Sequence, residues 1–278
     1  MNIKSIHATA RRGRIRKYVI IATLAGTAGV AACAISTQQE QELGAQYSSE
    51  INRQLPIIND ATVSRAINVL GNEIARHGQR GINYRFFVVN SNQVNAFAVP
   101  GGYVYVNRGL IERTTDYTEL AGVLAHEIGH VEERHGVEQM ERMQRANLGL
   151  NVAYVLLGRS PGGLESAAIN LGGSAVFARY SRDAENEADD VAVPLLLGSG
   201  IHPRGLVTMF QKLIAEQNRN PSAVSQWFST HPTTQDRIAA VQADISRLSS
   251  SRLRSLRTTS SSYNSLKSRL KQLPRASQ

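Results

Sequence analysis

The stretch that decides the fold is residues 119–135, with the sequence ELAGVLAHEIGHVEERH. Its apolar residues recur at intervals of three and four, which predicts a helix whose apolar side enters the core. His126 and His130 lie four residues apart and therefore share one face of that helix, with Glu127 beside the first of them. Two imidazoles on one face can bind a single metal ion. A solvated helix with two surface histidines is the alternative, and the flanking apolar residues disfavour it.

Residues 126–130 form the HExxH pattern, in which a metal ion and a neighbouring carboxylate act together on water. Zinc bound by neutral imidazole nitrogens keeps an open coordination position and lowers the pKa of water bound there to about 7. Glu127 is expected to accept the proton of that water during attack on a carbonyl and to pass it to the leaving amine. The pattern therefore predicts peptide hydrolysis with Glu127 as the general base.

A catalytic zinc ion usually has three protein ligands, so a third must come from elsewhere in the chain. The metzincin pattern requires a histidine six residues after the second ligand, and His135 stands only five residues after His130, so that pattern fails. A carboxylate from a later helix is the other solution, and an acidic cluster follows Arg182. Within it, Glu185 and Asp189 lie four residues apart, so one could bind the metal while the other orients a liganding imidazole. The default interpretation of such a cluster is a solvated helix N-terminus.

The rest of the chain predicts further helices and a small sheet. Apolar spacings of three and four predict helices at 38–54, 61–77, 116–134, 137–157, 164–179, 183–198, 204–218 and 234–248. Alternating or continuous β-forming residues predict strands at 84–89, 94–99 and 103–106, with a turn at 100–102. This pattern indicates an α+β fold, a mainly helical domain with a small β-sheet packed beside the HExxH helix.

The strands before the HExxH helix offer a way to hold a substrate. An extended peptide can add itself to an exposed sheet edge, where backbone hydrogen bonds bind it with little selectivity for side chains. The strand after the turn at 100–102 is one candidate for this edge. The other candidate edge consists of Asn95, Ala96, Phe97, Ala98 and Val99. The alternative interpretation is a hairpin that only forms part of the core. The two interpretations are compatible, because a core hairpin can also bind a substrate at its edge.

The charge of the chain is concentrated at its two ends. The sequence has 31 Lys and Arg against 22 Asp and Glu, a formal net charge of +9. Six of the bases fall in residues 1–33 and eight in residues 245–278, and neither segment contains an acid. Residues 34–244 are therefore acidic overall, which argues against a nucleic-acid-binding face on the body of the domain.

Residues 1–32 have the pattern of a lipoprotein-type signal peptide. The basic segment 11–17, RRGRIRK, precedes an uncharged and largely apolar segment at 18–35. The only cysteine, Cys33, follows small residues in the sequence VAA, which resembles a bacterial lipobox, where the cysteine becomes the lipidated first residue. We therefore expect a lipidated linker at 33–37 that anchors the chain to a membrane. A permanent membrane span and a twin-arginine signal are the alternatives.

Residues 246–278 form a basic tail rich in Ser and Arg. Leu266, Leu270 and Leu273 stand at helical spacing within it. We expect a frayed, solvated extension, and a basic amphipathic helix lying on anionic lipid is the alternative.

Four motifs in order along the chain carry a family resemblance. They are NAFAVPGG at 95–102, HEIGH at 126–130, SR followed by ENEAD at 181–189, and HP at 231–232 with Arg237 five residues after the proline. Together they resemble the gluzincin metallopeptidases, in the branch of HtpX and the CAAX prenyl endopeptidase, with a layout most similar to periplasmic BepA- and LoiP-type proteases. The resemblance covers residues 38–245 and implies a zincin-like metallopeptidase domain there.

The resemblance implies a role for each residue that matches a motif. His126, His130 and Glu185 correspond to the ligands of one Zn²⁺ ion per chain. Glu187 is out of register with the family pattern, and it is the alternative that the sequence leaves open. Glu127 corresponds to the general base, and Asp189 to a hydrogen-bonding partner of a liganding histidine.

Two residues of the HP motif carry further expectations. His231 resembles a residue that approaches the metal in relatives, where it stabilises the tetrahedral oxyanion or occupies the open metal position as a latch. A local role in capping the next helix is the alternative. Arg237 is expected either to orient this loop or to bind substrate.

These expectations combine into a function. The chain is expected to be a zinc-dependent endopeptidase that hydrolyses unfolded or misassembled envelope proteins, with no nucleic-acid partner. We expect it to be periplasmic and lipid-anchored, and Ala34 after Cys33, by resemblance to sorted lipoproteins, indicates the outer membrane of a Gram-negative bacterium. The alternative is a zinc-stabilised peptide-binding chaperone or assembly factor with weak hydrolysis or hydrolysis latched by His231. The sequence does not specify the oligomeric state.

Overall fold

The computed structural model of the protein describes residues 35–143 and 179–275. The helices are α1 (Thr37–Gln54), α2 (Ala61–Ala75), α3 (Arg108–Arg113), α4 (Tyr117–Glu132), α5 (Arg182–Gly198), α6 (Arg204–Arg219), α7 (Pro221–Thr230), α8 (Gln235–Ser246), α9 (Ser250–Ser255) and α10 (Ser261–Gln272). The strands are β1 (Arg85–Val89), β2 (Ala96–Val99) and β3 (Tyr103–Asn107), and residues 135–143 are also helical. Within this described part, none of the helices combines the length and apolar character needed to cross a bilayer.

Several predicted features lie outside the described residues. They are the signal peptide at 1–32, Cys33, most of the helix predicted at 137–157 and nearly all of the helix predicted at 164–179.

The sheet has three strands in the order β1-β3-β2. The central strand β3 runs parallel to β1 and antiparallel to β2. The turn between β2 and β3 requires glycine, because Gly101 and Gly102 have φ angles of 80° and 91°, in the left-handed region. This topology leaves β2 at one edge of the sheet.

The outer edge of β2 carries backbone groups that point away from the sheet. The N–H of Asn107 donates to the carbonyl oxygen of Asn95 over 2.9 Å, so these two residues form a hydrogen-bonded pair. In an antiparallel ladder such pairs alternate with non-hydrogen-bonded ones. Ala96 and Ala98, which pair with the next residues along β3, therefore direct their N–H and C=O groups outward.

Helix α4 lies at the centre of the fold. Asp116 begins it by accepting hydrogen bonds from the N–H groups of Thr118 and Glu119. Every residue from Tyr117 to Val131 is buried, and α2, α5, α6 and β2 pack around the helix. The predicted α+β fold, mainly helical with a small sheet beside the HExxH helix, is confirmed.

The sequence pattern does not predict α7. Residues 218–221 read as a turn because they combine Asn, Arg and Pro, yet Pro221 occupies the first helical turn, where a missing N–H removes no hydrogen bond. Val224 and Trp227 are fully buried, and α7 packs on α6. Burial of these two side chains therefore outweighs the turn-forming residues before them.

The basic tail is folded against the body. Helix α10 packs on α2 and buries Tyr263, Leu266 and Leu270. Arg108, which is 1% exposed, donates to the carbonyl oxygens at the end of α10, those of Leu270, Leu273 and Pro274, over 2.6, 3.1 and 2.8 Å. The expectation of a frayed, solvated extension is therefore wrong for α10. The apolar residues that suggested a helix lying on lipid, among them Leu266 and Leu270, are buried where α10 packs on α2.

Candidate active site

Helix α4 places His126 and His130 one turn apart, with both rings buried. Their Nε2 atoms lie 3.1 Å from each other. Two ligands at about 2.0–2.1 Å from a tetrahedral metal ion are about 3.3–3.4 Å apart. The pair is therefore spaced so that both nitrogens can hold one ion.

Helix α5 brings Glu185 to the same point. Ser181 begins α5 by accepting a hydrogen bond from the N–H of Ala184 over 3.1 Å, so Glu185 stands in the first turn. Its Oε2 lies 3.6 Å from Nε2 of His126, and its Oε1 lies 3.4 Å from Nε2 of His130. The structure thus brings together the three residues expected to be ligands.

Gly129 allows α4 and α5 to approach this closely. A Cβ at this position would lie 2.5 Å from the carbonyl oxygen of Ala188, closer than such atoms come in proteins. We expect Gly129→Ala to move α5 outward together with Glu185, to weaken binding of a divalent metal and to lower the free energy of unfolding by about 1–3 kcal/mol. Calorimetric titration with Zn²⁺ and urea unfolding measure the two effects. Glu133→Ala, at an exposed position just after α4, is the control, and an unchanged metal affinity for Gly129→Ala would contradict the prediction.

His231 completes a buried cluster of four side chains. It lies at the end of α7, with its Nδ1 3.1 Å from Oε1 of Glu185 and its Nε2 3.6 Å from Oε1 of Glu127. One ligand atom from each member lies within 4.8 Å of the others, the members being His126, His130, Glu185 and His231. The hypothesis that His231 caps the next helix is wrong, because Thr234 caps α8 by accepting from the N–H of Arg237 over 3.3 Å.

Asp189 and Arg237 form hydrogen bonds with members of the cluster. Asp189 lies on α5, and its Oδ1 is 2.9 Å from Nδ1 of His126. Arg237 is 3% exposed and donates from Nε and Nη2 to Asp189 over 2.7 and 2.8 Å, and from Nη1 to Glu185. The same Nη1 donates to the carbonyl oxygen of Pro232 over 3.2 Å. Of the two roles expected for Arg237, these contacts fit the orientation of the loop that follows His231.

His135 contacts His130 and Glu187, and the sequence motifs do not predict these contacts. Nδ1 of His135 lies 2.9 Å from Nδ1 of His130, and Nε2 of His135 lies 2.9 Å from Oε2 of Glu187. Arg134 has a φ angle of 59°, and this left-handed residue turns the chain so that His135 returns to the preceding helix. The only sequence signal for this contact is the spacing of five residues between the two histidines.

Burial and neighbouring charges shift the pKa values of the cluster. Burial holds the pKa of His130 well below its usual value. Burial also lowers the pKa of His126, but hydrogen bonds to Asp189 and Glu185 outweigh this effect and raise it to about 9. Burial opposes ionisation of Glu185, yet the surrounding imidazoles hold its pKa well below the usual range. A metal ion that binds here must therefore displace the proton of His126, whereas Glu185 is already ionised.

Three buried polar atoms test whether a metal fits this site. Both carboxylate oxygens of Glu127 and Nε2 of His231 have no hydrogen-bond partner among the described residues. Each such atom costs about 1–3 kcal/mol when buried unpaired. Burial raises the pKa of Glu127, and the neighbouring imidazoles of His231 and His126 partly offset this rise. Imidazoles and a carboxylate around these atoms form a donor set that suits a divalent transition metal with water, so the site fits a metal ion.

Comparisons with known proteins agree with this geometry. A model described as Peptidase family M48 matches residues 58–245. The beta-barrel assembly-enhancing protease of Yersinia pestis is 33% identical over 219 residues, which cover 75% of this chain and 44% of the relative. Metalloprotease LoiP of Escherichia coli (strain K12) is 36% identical over 171 residues, covering 61% of this chain and 64% of the relative. Mitochondrial metalloendopeptidase OMA1 of Schizosaccharomyces pombe is 30% identical over 193 residues, covering 69% of this chain and 55% of the relative.

The chain spans less than half the length of the beta-barrel assembly-enhancing proteases of Yersinia pestis and Escherichia coli (strain K12). The residues of the cluster, from His126 to Arg237, all fall within the range that the family model matches. The resemblance to gluzincin metallopeptidases with a BepA- and LoiP-type layout is confirmed. This chain belongs to peptidase family M48.

Proposed function

We propose that this chain is a zinc-dependent endopeptidase. His126, His130 and Glu185 hold one zinc ion, and Glu127 is the general base. The observation that carries the proposal is the convergence of these side chains on one buried point, with the unpartnered carboxylate of Glu127 beside it. We choose zinc because neutral imidazoles and a carboxylate are its usual ligands in catalytic sites.

Glu127 moves the proton of the reaction. A bound zinc ion supplies Lewis acidity, which activates water and polarises the scissile carbonyl. The carboxylate of Glu127 takes the proton of the attacking water and gives it to the nitrogen of the leaving amine. Because burial raises the pKa of Glu127, its carboxylate is a stronger base than an exposed one.

Asp189 and Arg237 keep the ligands in place. Asp189 accepts from Nδ1–H of His126, which leaves Nε2 of that ring free to bind the metal. Arg237 holds Asp189 and Glu185 at the same time, so both carboxylates of α5 keep their orientation toward α4.

The outer edge of β2 holds the substrate. A polypeptide that pairs with the outward backbone groups of Ala96 and Ala98 gains main-chain hydrogen bonds that do not depend on its sequence. Glu127 lies on α4, which packs against β2, so a peptide paired with this edge lies close to the general base. Binding through main-chain groups requires an extended segment, which unfolded proteins supply and folded ones do not.

His231 acts as a latch on this site. Its ring lies within the group of four potential ligands, and a fourth protein ligand would leave a bound zinc ion no open position for water. Hydrolysis then requires His231 to move away. The same observation favours a second candidate function, a zinc-stabilised peptide-binding chaperone or assembly factor in which the latch stays closed.

The cellular setting is also part of the proposal. We assign unfolded or misassembled envelope proteins as substrates, and the name of the beta-barrel assembly-enhancing relatives supports this assignment. The basic and apolar segments of residues 1–32 support export to the periplasm, and Cys33 supports a lipid anchor in the outer membrane.

Zinc content and casein cleavage test the proposal in wild type and His231→Ala. We expect about one zinc ion per chain in both proteins, because three ligands remain in the variant, and faster casein cleavage by His231→Ala because its metal position is open. A protein that binds no zinc would contradict the metal site. Loss of cleavage in His231→Ala with zinc retained would instead make His231 a group that stabilises the transition state.

A further inference from the structure

A groove of about 820 Å³ lies beside β2. Its walls include the end of β1 with the loop that follows, Asn95 just before β2, Phe97 of β2, and Thr230 at the end of α7. Thr230 directly precedes His231 in the chain, and Phe97 directly precedes Ala98 on β2, so the groove borders residues next to the candidate active site and to the proposed substrate strand.

Two side-chain oxygens in the groove have no partner. Asn95 is 6% exposed, and its Oδ1 makes no hydrogen bond with any described residue. The same is true of Oε1 of Gln93, a half-buried residue two positions earlier. Buried amide oxygens in proteins nearly always accept a hydrogen bond. Both atoms therefore indicate a ligand that brings N–H or O–H donors.

The lining defines the charge of that ligand. None of the described residues that line the groove is ionisable. The ring of Phe97 provides an apolar wall and is stacked on Tyr105, with ring centroids 4.9 Å apart. A lining without charged side chains cannot offset the cost of removing a ligand's charge from water, so the groove fits an uncharged polypeptide segment.

We infer that this groove is a specificity subsite that takes an uncharged segment of the polypeptide substrate, with Gln93 and Asn95 accepting hydrogen bonds from its N–H groups. This inference rests on the proposed function, because the segment continues from the peptide paired with β2. An extended chain advances about 3.3 Å per residue, so the three residues from Ala98 to Asn95 correspond to about 10 Å. The segment therefore begins about three residues from the part of the peptide that pairs with Ala98, on one side of it.

Peptide binding tests the subsite without the need for hydrolysis. The protein is the full chain with zinc and the Glu127→Gln substitution, and the probes are short fluorescein-labelled peptides measured by anisotropy. All the peptides share one central sequence, and each carries one flank. The flank consists either of Ser, Asn and Gln or of Asp and Glu, and it is placed either before or after the central sequence. We expect the neutral flank on one side to bind about 3- to 10-fold more tightly than the acidic flank.

Two further substitutions in this Glu127→Gln chain make the test specific. Gln93→Lys places a cation in the groove, and we expect it to reverse the preference in favour of the acidic flank. Asn95→Ala is expected to weaken binding of the neutral flank about 3- to 10-fold and to leave a peptide without that flank unchanged. Gln211→Lys, which adds the same charge at an exposed position on α6, is the matched control and should bind like the parent.

The peptide-binding results test the subsite separately from peptide hydrolysis. Equal binding of neutral and acidic flanks, absence of peptide binding, or a Gln93→Lys protein that keeps the original preference would overturn the subsite. If Asn95→Ala does not fold, Gln93→Lys still decides, because its side chain is half-buried at the border of the groove. A wild-type enzyme that cleaves no peptide would contradict the proposed endopeptidase. The binding preference is measured in the Glu127→Gln chain and tests the subsite independently of cleavage.

Discussion

Glu127→Gln is expected to slow casein hydrolysis about 10²- to 10⁴-fold while zinc content and melting temperature stay close to wild type. Glutamine has nearly the same shape as glutamate but cannot take a proton from water, so the substitution removes the general base alone. The side chain makes no hydrogen bond with described residues and is not needed as a ligand, which is why the fold and the metal should survive. Steady-state cleavage of casein, metal analysis and thermal unfolding provide the three measurements.

A neighbouring glutamate gives the matched control for this experiment. Glu133 follows α4, is exposed, and lies six residues after the general base. Glu133→Gln makes the same chemical change and should cleave casein at the wild-type rate. Cleavage by Glu127→Gln within a few-fold of wild type would remove Glu127 from the mechanism.

Arg237→Ala is expected to lower the free energy of unfolding by about 3–5 kcal/mol. The guanidinium is paired with Asp189 and Glu185, all three are nearly inaccessible to water, and its removal leaves two buried carboxylates without their common cation. Burial alone would lower the pKa of Arg237, but its hydrogen bond to Asp189 raises it, so the side chain stays charged. Urea unfolding of metal-free protein at neutral pH measures the loss.

The control for Arg237 is an exposed ion pair. Arg247 contacts Asp244 on the surface, with its side chain 76% exposed, and an exposed pair contributes about 0–1 kcal/mol. Arg247→Ala should therefore unfold close to wild type. If Arg237→Ala and Arg247→Ala have the same stability, the buried carboxylates are not held by Arg237.

The sequence predicts the centre of this molecule better than its periphery. The HExxH helix and the three strands have strong local periodicity, and the structure contains each of them within two residues of the predicted bounds. The spacing of Glu185 and Asp189 places both on one face of α5, which is why a ligand and its partner could be proposed before the fold was known. Local periodicity and motif spacing carry this information directly.

Features that depend on distant contacts were not predicted. Helix α7 forms because Val224 and Trp227 pack in the core, and α10 forms because its leucines pack on α2. The contact of His135 with His130 depends on one left-handed residue, Arg134. None of these partners is visible in the local pattern of apolar residues.

The contacts of Arg237 also limit how the proposed latch can open. The guanidinium is held by two carboxylates of α5 and donates to the carbonyl oxygen of Pro232, so swinging the loop away would break that buried hydrogen bond. Turning the His231 ring about its own side-chain torsions keeps that bond and gives up the contact of the ring with Glu185. Gating of this enzyme would then be a change of rotamer within a rigid frame, fast and local, rather than a rearrangement of the backbone.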